Sequence, residues 1–317
     1  MSDADSHLSL QSLTPLDLKQ LSRQQKIKLF QDYRASGARN ANKILFLATD
    51  LLAGGSRGLS SSELYEVYEQ VLIASLECGR IENATMYLNL LENRFGKKSV
   101  RVSHLRGLCL EAQGKKAEAK RLYEQVLKEM PTNDFCVKRL SAMYKADGHY
   151  EEAVRVLEED LVYTDEDEKK HTFFEVHRGD SMQALRELSN LHYLLGNVDK
   201  AIFYAEEGLL FDADSYFAHA RLAELNYMKR DLPRCVVEYS QSLLFNSEQN
   251  NSRSAYGLWQ ATTEMLRLHH SGVKKLEEER ELVQTKDLQA YAAETLRRMY
   301  AGSPMLSALD AYLQREA

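Results

Sequence analysis

The chain has 317 residues, of which 44% are hydrophobic and 28% charged, a composition typical of a folded, water-exposed protein. Its 41 basic and 47 acidic residues give a formal net charge of −6, which argues against a protein that binds a nucleic-acid backbone. Only 4 prolines occur, and this scarcity favours long helices because proline cannot continue one.

Residues 1–64 are expected to form a disordered start, two capping helices and a loop. The first residues are acidic and polar, without the basic and apolar regions of a signal peptide. The stretches "LDLKQLSRQQKIKLFQDYR" and "NANKILFLATDLLA" predict the helices, and "GGSRGLSSS" predicts the loop. The longest apolar run, Ile44 to Ala53, is about half of a membrane span and contains Asp50, so we expect no direct membrane span.

Small residues recur with a period of about 34 residues between residues 65 and 273. The units start near residues 65, 100, 134, 182, 216 and 250. In the repeat that starts at residue 100, Gly114 stands at position 15, Ala119 at position 20 and Pro131 at position 32. The same two small positions hold Gly79 and Ala84, Gly148 and Ala153, and Gly196 and Ala201, whereas the unit from residue 216 has Arg230 and Cys235.

This is the tetratricopeptide pattern, in which each unit is a helix A, a tight turn and a helix B. Glycine at position 15 suits a left-handed residue at the end of helix A, and position 20 must be small where the two helices cross most closely. The sequence therefore predicts an all-α fold, a tetratricopeptide-type α-solenoid. We expect a right-handed superhelix of helix pairs with atypical helical caps at both ends and essentially no sheet.

Two segments depart from the repeat. An insert at about residues 166–180 lies within "DEDEKKHTFFEVHRGD" and predicts a solvated loop or helix extension. Its "FFEV" is interpreted as a packed turn or, alternatively, as a short docking edge. Residues 274–317 predict a long C-terminal helix and a short capping helix, the long one with an apolar stripe at Leu276, Leu282, Leu288, Tyr291 and Met299.

Catalytic and metal-binding patterns are weak. "GGSRG" matches the G-x-S-x-G nucleophile motif, but that motif needs a strand before it, so Ser56 is interpreted as a loop residue. The adjacent His269 and His270 point to different helix faces and have no partner ligands at metal spacing. Four scattered cysteines without a C-x-x-C pair indicate reduced thiols and a cytosolic setting. We expect no enzyme activity, no metal and no cofactor.

The predicted binding surface is the inner face of helix A. In this superfamily positions 2, 5, 9 and 12 line it, and here they are mostly aromatic, basic or polar, which suits a peptide with apolar and acidic groups. The predicted groove residues are Arg101, His104, Leu108, Phe135, Lys138, Lys145, Arg186, Asn190, Tyr193, Phe217 and Tyr227. Glu111, Ala142, Gln183, Ala220 and Glu224 occupy the remaining positions.

An alternative is a soluble tetratricopeptide co-chaperone adaptor that binds C-terminal peptides. Such adaptors grip a carboxylate with a basic residue at position 5 and asparagine at position 9, which Arg186 and Asn190 match. The next unit has Arg221 where a further asparagine is required, and Lys138 is followed by Ala142 rather than asparagine. The incomplete clamp places this hypothesis second, and a hydrolase with Ser56 as nucleophile third.

Longer stretches resemble one family, the second subunit of the endoplasmic reticulum (ER) membrane protein complex. They are "YEQVLIASLECGRIENATMYLNLLENRF", "RVSHLRGLCLEAQGKKAEAKRLYEQVLKEMPTN" and "AYGLWQAT" followed by a delayed long helix. The resemblance covers roughly residues 15–300. The sequence departs from the family in the insert and in Gly96, which stands where proline is expected after "RF".

The resemblance implies a cytosolic, non-enzymatic scaffold on the cytoplasmic face of the ER membrane. Its partners would be other subunits of the complex, namely cytosolic tails of membrane subunits and a soluble subunit, and not nucleic acid. The assembly would insert transmembrane segments, including tail anchors. A cytosolic tail of a membrane subunit would lie in the groove.

Overall fold

The computed structural model describes residues 14–37, 40–53, 55, 57–158, 163–164, 170–171, 182–248, 251–273 and 279–316. The chain divides into two compact units, residues 1–147 and 148–317. The helices of the first unit are α1 (Pro15–Gln20), α2 (Arg23–Ser36), α3 (Ala41–Ala53), α4 (Ser61–Glu77), α5 (Ile81–Phe95), α6 (Val100–Ala112), α7 (Lys116–Glu129) and α8 (Asp134–Ala146).

The first unit begins with helices whose starts are fixed by local capping. The side chains of Ser22 and Gln25 form a capping box at α2, and those of Ser60 and Glu63 form one at α4. Between them α2, α3 and α4 share a buried apolar cluster that includes Phe30. Two helices were predicted before the first repeat, whereas the described residues form three, because the first predicted helix is interrupted at Leu21, where the backbone is extended and Ser22 caps α2.

The repeats of the first unit follow from the small residues. Gly79 and Gly114 end helices A with φ values of +68° and +75°, and Ala84 and Ala119 are fully buried on helices B. Gly107 is obligatory for a different reason, because a Cβ atom there would clash with the ring of buried Tyr123. Helix α7 then ends at Glu129, just before Pro131.

The second unit consists of further helix pairs. Its helices are α9 (Tyr150–Glu158), α10 (Met182–Leu194), α11 (Val198–Leu209), α12 (Tyr216–Met228), α13 (Leu232–Phe245), α14 (Ser252–His270), α15 (Glu279–Met299) and α16 (Leu306–Glu316). Ala153, Ala201 and Cys235 are fully buried, as position 20 requires. Arg230 adopts a φ of +64° at position 15, the left-handed geometry that glycine has in the sister repeats.

The C-terminal helices α14, α15 and α16 close the second unit with one shared apolar cluster, which includes Trp259 and Leu296. The expected stripe on the long helix is confirmed at Met299, which is buried, and at Leu288, which packs against this cluster. It is wrong at Tyr291, which is exposed, and Leu282 is half-buried. The buried face consists of Thr285, Ala292, Ala293, Thr295, Leu296 and Met299. Leu276 lies outside the described residues.

The insert contains a small exception to an otherwise helical structure. Tyr163–Thr164 (β1) and Lys170–His171 (β2) form an antiparallel pair of two residues each. The "FFEV" segment lies outside the described residues. The fold is all-α with tetratricopeptide repeats, as predicted. Among the described helices, none combines the length and apolar content that crossing a bilayer requires.

Candidate functional site

A cleft of about 390 Å³ opens between α10, α11, α12 and the start of α14 in the second unit. We call it the arginine–aromatic cleft. Its lining side chains are apolar or aromatic except at a few polar and basic positions, a mixture typical of binding sites. The lining residues are Met182, Arg186, Ser189, Asn190, Tyr193, Leu194, Tyr204, Ala205, Gly208, Phe217, Ala218, Arg221 and Arg253.

Two arginines of the cleft lie against aromatic rings. The Arg186 guanidinium is 5.8 Å from the centroid of the exposed Phe217 ring, and the Arg221 guanidinium is 4.6 Å from the Tyr193 ring. Such cation–π contacts hold an arginine in place without neutralising its charge. Within the described residues, Arg186 has no carboxylate partner, so its full charge faces the cleft.

The remaining basic groups share one carboxylate. Arg221 Nη1 and Glu224 Oε2 are 3.2 Å apart, and Arg253 also pairs with Glu224. Arg221 Nη2 donates to Asn190 Oδ1 over 3.2 Å, while its Nε is buried with no hydrogen-bond partner among the described groups. The cleft therefore carries an excess of guanidinium groups over carboxylates, which favours an anionic ligand.

The inner part of the cleft is held by hydrogen bonds between helices. Ser189 on α10 donates its hydroxyl to the Ala201 carbonyl on α11 over 2.8 Å. The Tyr204 hydroxyl donates to Glu158 over 2.6 Å, and the Tyr204 ring stacks on His192 with centroids 5.4 Å apart. These contacts join α9, α10 and α11, and so fix the side of the cleft that α10 and α11 form.

Four predicted groove residues of the second unit meet in this cleft, namely Arg186, Asn190, Tyr193 and Phe217. Tyr227 does not line it and packs against the C-terminal apolar cluster instead. The prediction omitted Arg221 and Arg253, which stand at positions 6 and 4 of their units, outside the positions considered. The one sequence signal for them was that two consecutive repeats each have a basic residue near the start of helix A.

A second cleft, of about 310 Å³, lies in the first unit between α4, α5 and α6. Of the predicted residues, Arg101 lines it, paired there with Glu69. The rings of Tyr65 and Phe95 meet edge to face in it, with centroids 5.1 Å apart. Because Glu66 and Glu69 also line it, this cleft is less basic than the arginine–aromatic cleft.

The other predicted residues of the first unit contact their own neighbours. His104 stacks on Phe135 with centroids 4.3 Å apart, and burial lowers the pKa of His104, so it adds no charge at neutral pH. Lys138 pairs with Asp134 on its own helix at 2.7 Å. Leu108 and Lys145 are half-buried. Lys138 and Lys145 are therefore less accessible to a partner than Arg186.

Cysteines and candidate metal ligands are the reactive groups that can be placed within the described residues. Ser56 lies outside the described residues. Burial raises the pKa of Cys109 to about 11 and that of Cys136 and Cys235 to about 12, which removes their thiolates at neutral pH. Over the described residues, no group of three His, Cys, Asp or Glu side chains could hold a metal ion.

Comparisons with known proteins agree with the repeat pattern. A family profile described as tetratricopeptide repeat matches residues 100–133. The chain is 30% identical over 230 residues to ER membrane protein complex subunit 2-A of Xenopus laevis, which covers 72% of this chain and 71% of that protein. It is also 30% identical over 177 residues to ER membrane protein complex subunit 2 of Dictyostelium discoideum, covering 56% of this chain and 51% of that one.

Among solved structures, the chain is similar to the C-terminal part of a tetratricopeptide repeat-containing protein from Cytophaga hutchinsonii. The TM-score is 0.56 at 12% identity, with 91% of this chain and 99% of that chain covered. At this identity the similarity concerns the fold alone. It agrees with helix pairs throughout both units.

Proposed function

Because this chain belongs to the ER membrane protein complex subunit 2 family, we propose that it is a non-catalytic scaffold subunit of that complex. In this proposal it lies on the cytoplasmic face of the ER membrane as a peripheral protein. It supports the insertion of transmembrane segments, tail anchors included, by holding membrane subunits and a soluble subunit together.

The arginine–aromatic cleft is the observation that carries the scaffold proposal. It combines apolar surface with the Arg186 guanidinium, which has no carboxylate partner among the described residues. An extended polypeptide segment with acidic and apolar groups fits this combination. In this proposal the occupant is a cytosolic tail of a membrane subunit that carries acidic and apolar side chains. The cleft of the first unit offers a second, less basic surface for another subunit.

A soluble co-chaperone adaptor is the second candidate. Arg186 and Asn190 do line the same cleft, as carboxylate capture would require. However, the Asn190 side-chain oxygen already accepts a hydrogen bond from Arg221, which stands in place of the next asparagine. The family favours the scaffold, and the two hypotheses differ in the proteins they bind.

Affinity purification from detergent-solubilised membranes tests the proposal. A tagged chain is expected to recover membrane proteins of one complex, and recovery of chaperones alone would instead support the adaptor. Arg186→Glu is expected to reduce recovery at least about 10-fold, since it reverses the unpaired charge of the cleft. Lys138→Glu is expected to have a smaller effect, because Lys138 already pairs with Asp134.

The matched control is Arg298→Glu, an exposed charge reversal on α15 outside the cleft. Its recovery of partners and its melting temperature are both expected to equal those of the parent. Equal losses in Arg186→Glu and Arg298→Glu would show that net charge, and not the cleft, controls capture. Unchanged capture in Arg186→Glu would remove this residue from the binding surface.

A further inference from the structure

The arginine–aromatic cleft exists because one repeat lacks a large side chain. Position 24, on helix B, holds Tyr123 and Tyr239 in the units from residues 100 and 216, and both rings are buried. Leu88 and Leu157 occupy the same position in the units from residues 65 and 134, also buried. In the unit from residue 182 this position is Ala205, and Ala205 lines the cleft.

A glycine in the same helix enlarges the space. Gly208 is buried in α11 with a helical backbone, yet a Cβ atom placed on it would meet no heavy atom of the described residues within 4 Å. By contrast, Gly107 and Gly257 are needed to avoid clashes with the rings of Tyr123 and Tyr239. Glycine inside a helix is less stable than alanine by about 1 kcal/mol, and here the fold itself gives no packing reason for it.

The edge of this space is aromatic and positively charged. Tyr193 and Phe217 supply rings, each already against an arginine. Three guanidinium groups, those of Arg186, Arg221 and Arg253, line the cleft, and Glu224 is the carboxylate that two of them share. A ligand that fills the apolar space would therefore place a neighbouring carboxylate next to unbalanced positive charge.

We propose that the cleft is a socket for an aromatic side chain of a partner polypeptide, next to an aspartate or glutamate in the same segment. The partner's ring takes the volume that tyrosine fills in the sister repeats, and its carboxylate pairs with Arg186. This inference rests on the proposed scaffold function and specifies the partner segment. Aromatic anchors in desolvated pockets are the side chains whose loss weakens interfaces most.

Substitutions that replace Ala205 with a larger side chain, and so fill the socket, test the proposal. Ala205→Leu restores the residue that the units from residues 65 and 134 have at position 24, so it is not expected to lower the melting temperature. Ala205→Tyr adds a larger ring without the glycine that faces Tyr123 and Tyr239, so its melting temperature is measured first and the folded variant is used. Both are expected to reduce recovery of the partner from solubilised membranes at least about 10-fold. The control is Ala290→Tyr, the same substitution at an exposed position of α15, which is expected to leave recovery unchanged.

A second measurement does not depend on the native partner. Saturation-transfer NMR of the purified full chain uses acetyl-Asp-Phe-Glu-amide as the probe and acetyl-Asp-Ala-Glu-amide as its control. The phenylalanine ring is expected to receive saturation from the parent and from Ala290→Tyr, and to lose it in both Ala205 variants. A ring signal that persists in folded Ala205→Tyr would overturn the socket.

The two proposals fail in different ways. If the parent recovers membrane proteins and the folded Ala205 variants recover them equally, the socket is wrong and the scaffold function remains. If the parent recovers no membrane protein, the scaffold function is wrong, and the NMR measurement alone decides whether the cleft accepts an aromatic side chain.

Discussion

At the residue scale, the repeats depend on small side chains where two helices approach. The Ser189 hydroxyl reaches the backbone carbonyl of Ala201 over 2.8 Å, which shows how closely helix A and helix B approach at position 20. Ala119 occupies the same position in the first unit and is fully buried. A larger side chain at this position has no space unless the helices separate.

Ala119→Phe is therefore expected to destabilise the first unit by about 1–3 kcal/mol through overpacking. Urea denaturation followed by circular dichroism measures the change. Ala117→Phe is the control, since residue 117 is exposed on the same helix and its substitution is expected to be nearly neutral. Equal midpoints for the parent and Ala119→Phe would contradict the assigned register.

Backbone strain at Arg230 gives a second prediction at this scale. Its φ of +64° is a left-handed conformation. This conformation is unfavourable for a residue with a Cβ atom and nearly neutral for glycine. Arg230→Gly is expected to stabilise the chain by about 0.5–1 kcal/mol, because its ion pair with Glu264 is exposed and long, at 3.8 Å. Gly196→Arg, the reverse change in the preceding repeat, is expected to destabilise, and thermal melting of both variants checks the pair.

At the element scale, one carboxylate joins three consecutive helices of the first unit. The Tyr123 hydroxyl on α7 donates to Glu111 on α6 over 2.6 Å, and Arg139 on α8 donates its Nε to the same carboxylate over 3.0 Å. Glu111 stands at position 12, which the repeat pattern assigns to the inner surface. Its side chain instead serves the packing of α6, α7 and α8.

Glu111→Ala leaves the buried Tyr123 hydroxyl and the Arg139 guanidinium without this acceptor, so we expect a loss of about 1–3 kcal/mol. Chemical denaturation of the purified chain measures it. Glu124→Ala removes an exposed carboxylate from α7 and is expected to change stability by less than about 0.5 kcal/mol. A Glu111→Ala variant as stable as Glu124→Ala would contradict the inter-helix role.

The helix pairs could be predicted from sequence because their constraints are local and periodic. Gly114 and Ala119 mark a turn and a crossing at fixed spacing, and the same spacing returns in the sister units. The buried face of α15 could be predicted only in part, since it adds small residues such as Ala292 and Thr295 to Met299 of the apolar stripe. Which face of a capping helix is buried depends on the shape of the helices that it covers.

The candidate site was predictable only in part for a related reason. Helix A positions led to Arg186, Asn190, Tyr193 and Phe217, which line one cleft. The cleft itself arises from what is missing on helix B, where Ala205 replaces a larger residue. No sequence motif marks a missing large side chain. The aligned repeats show that Ala205 is small, and the structure shows that its position lines a cleft.

At the scale of the whole molecule, two compact units of helix pairs each present a cleft, and the more basic one lies in residues 148–317. The chain belongs to the ER membrane protein complex subunit 2 family, so the proposed partners of these clefts are other subunits of such a complex. In the proposed complex, the arginine–aromatic cleft holds a segment of a membrane subunit. Contact between that cleft and a partner can be measured inside intact membranes.

Site-specific photo-crosslinking measures this contact directly. A benzoylphenylalanine replaces Phe217 in the cleft or, as a control, the exposed Tyr291 on α15, and membranes are irradiated before solubilisation. The Phe217 probe is expected to form an adduct with a protein that carries membrane-spanning segments, and the Tyr291 probe is expected to form none. Adducts of equal yield from both positions, or none with a membrane protein from Phe217, would contradict the proposed contact.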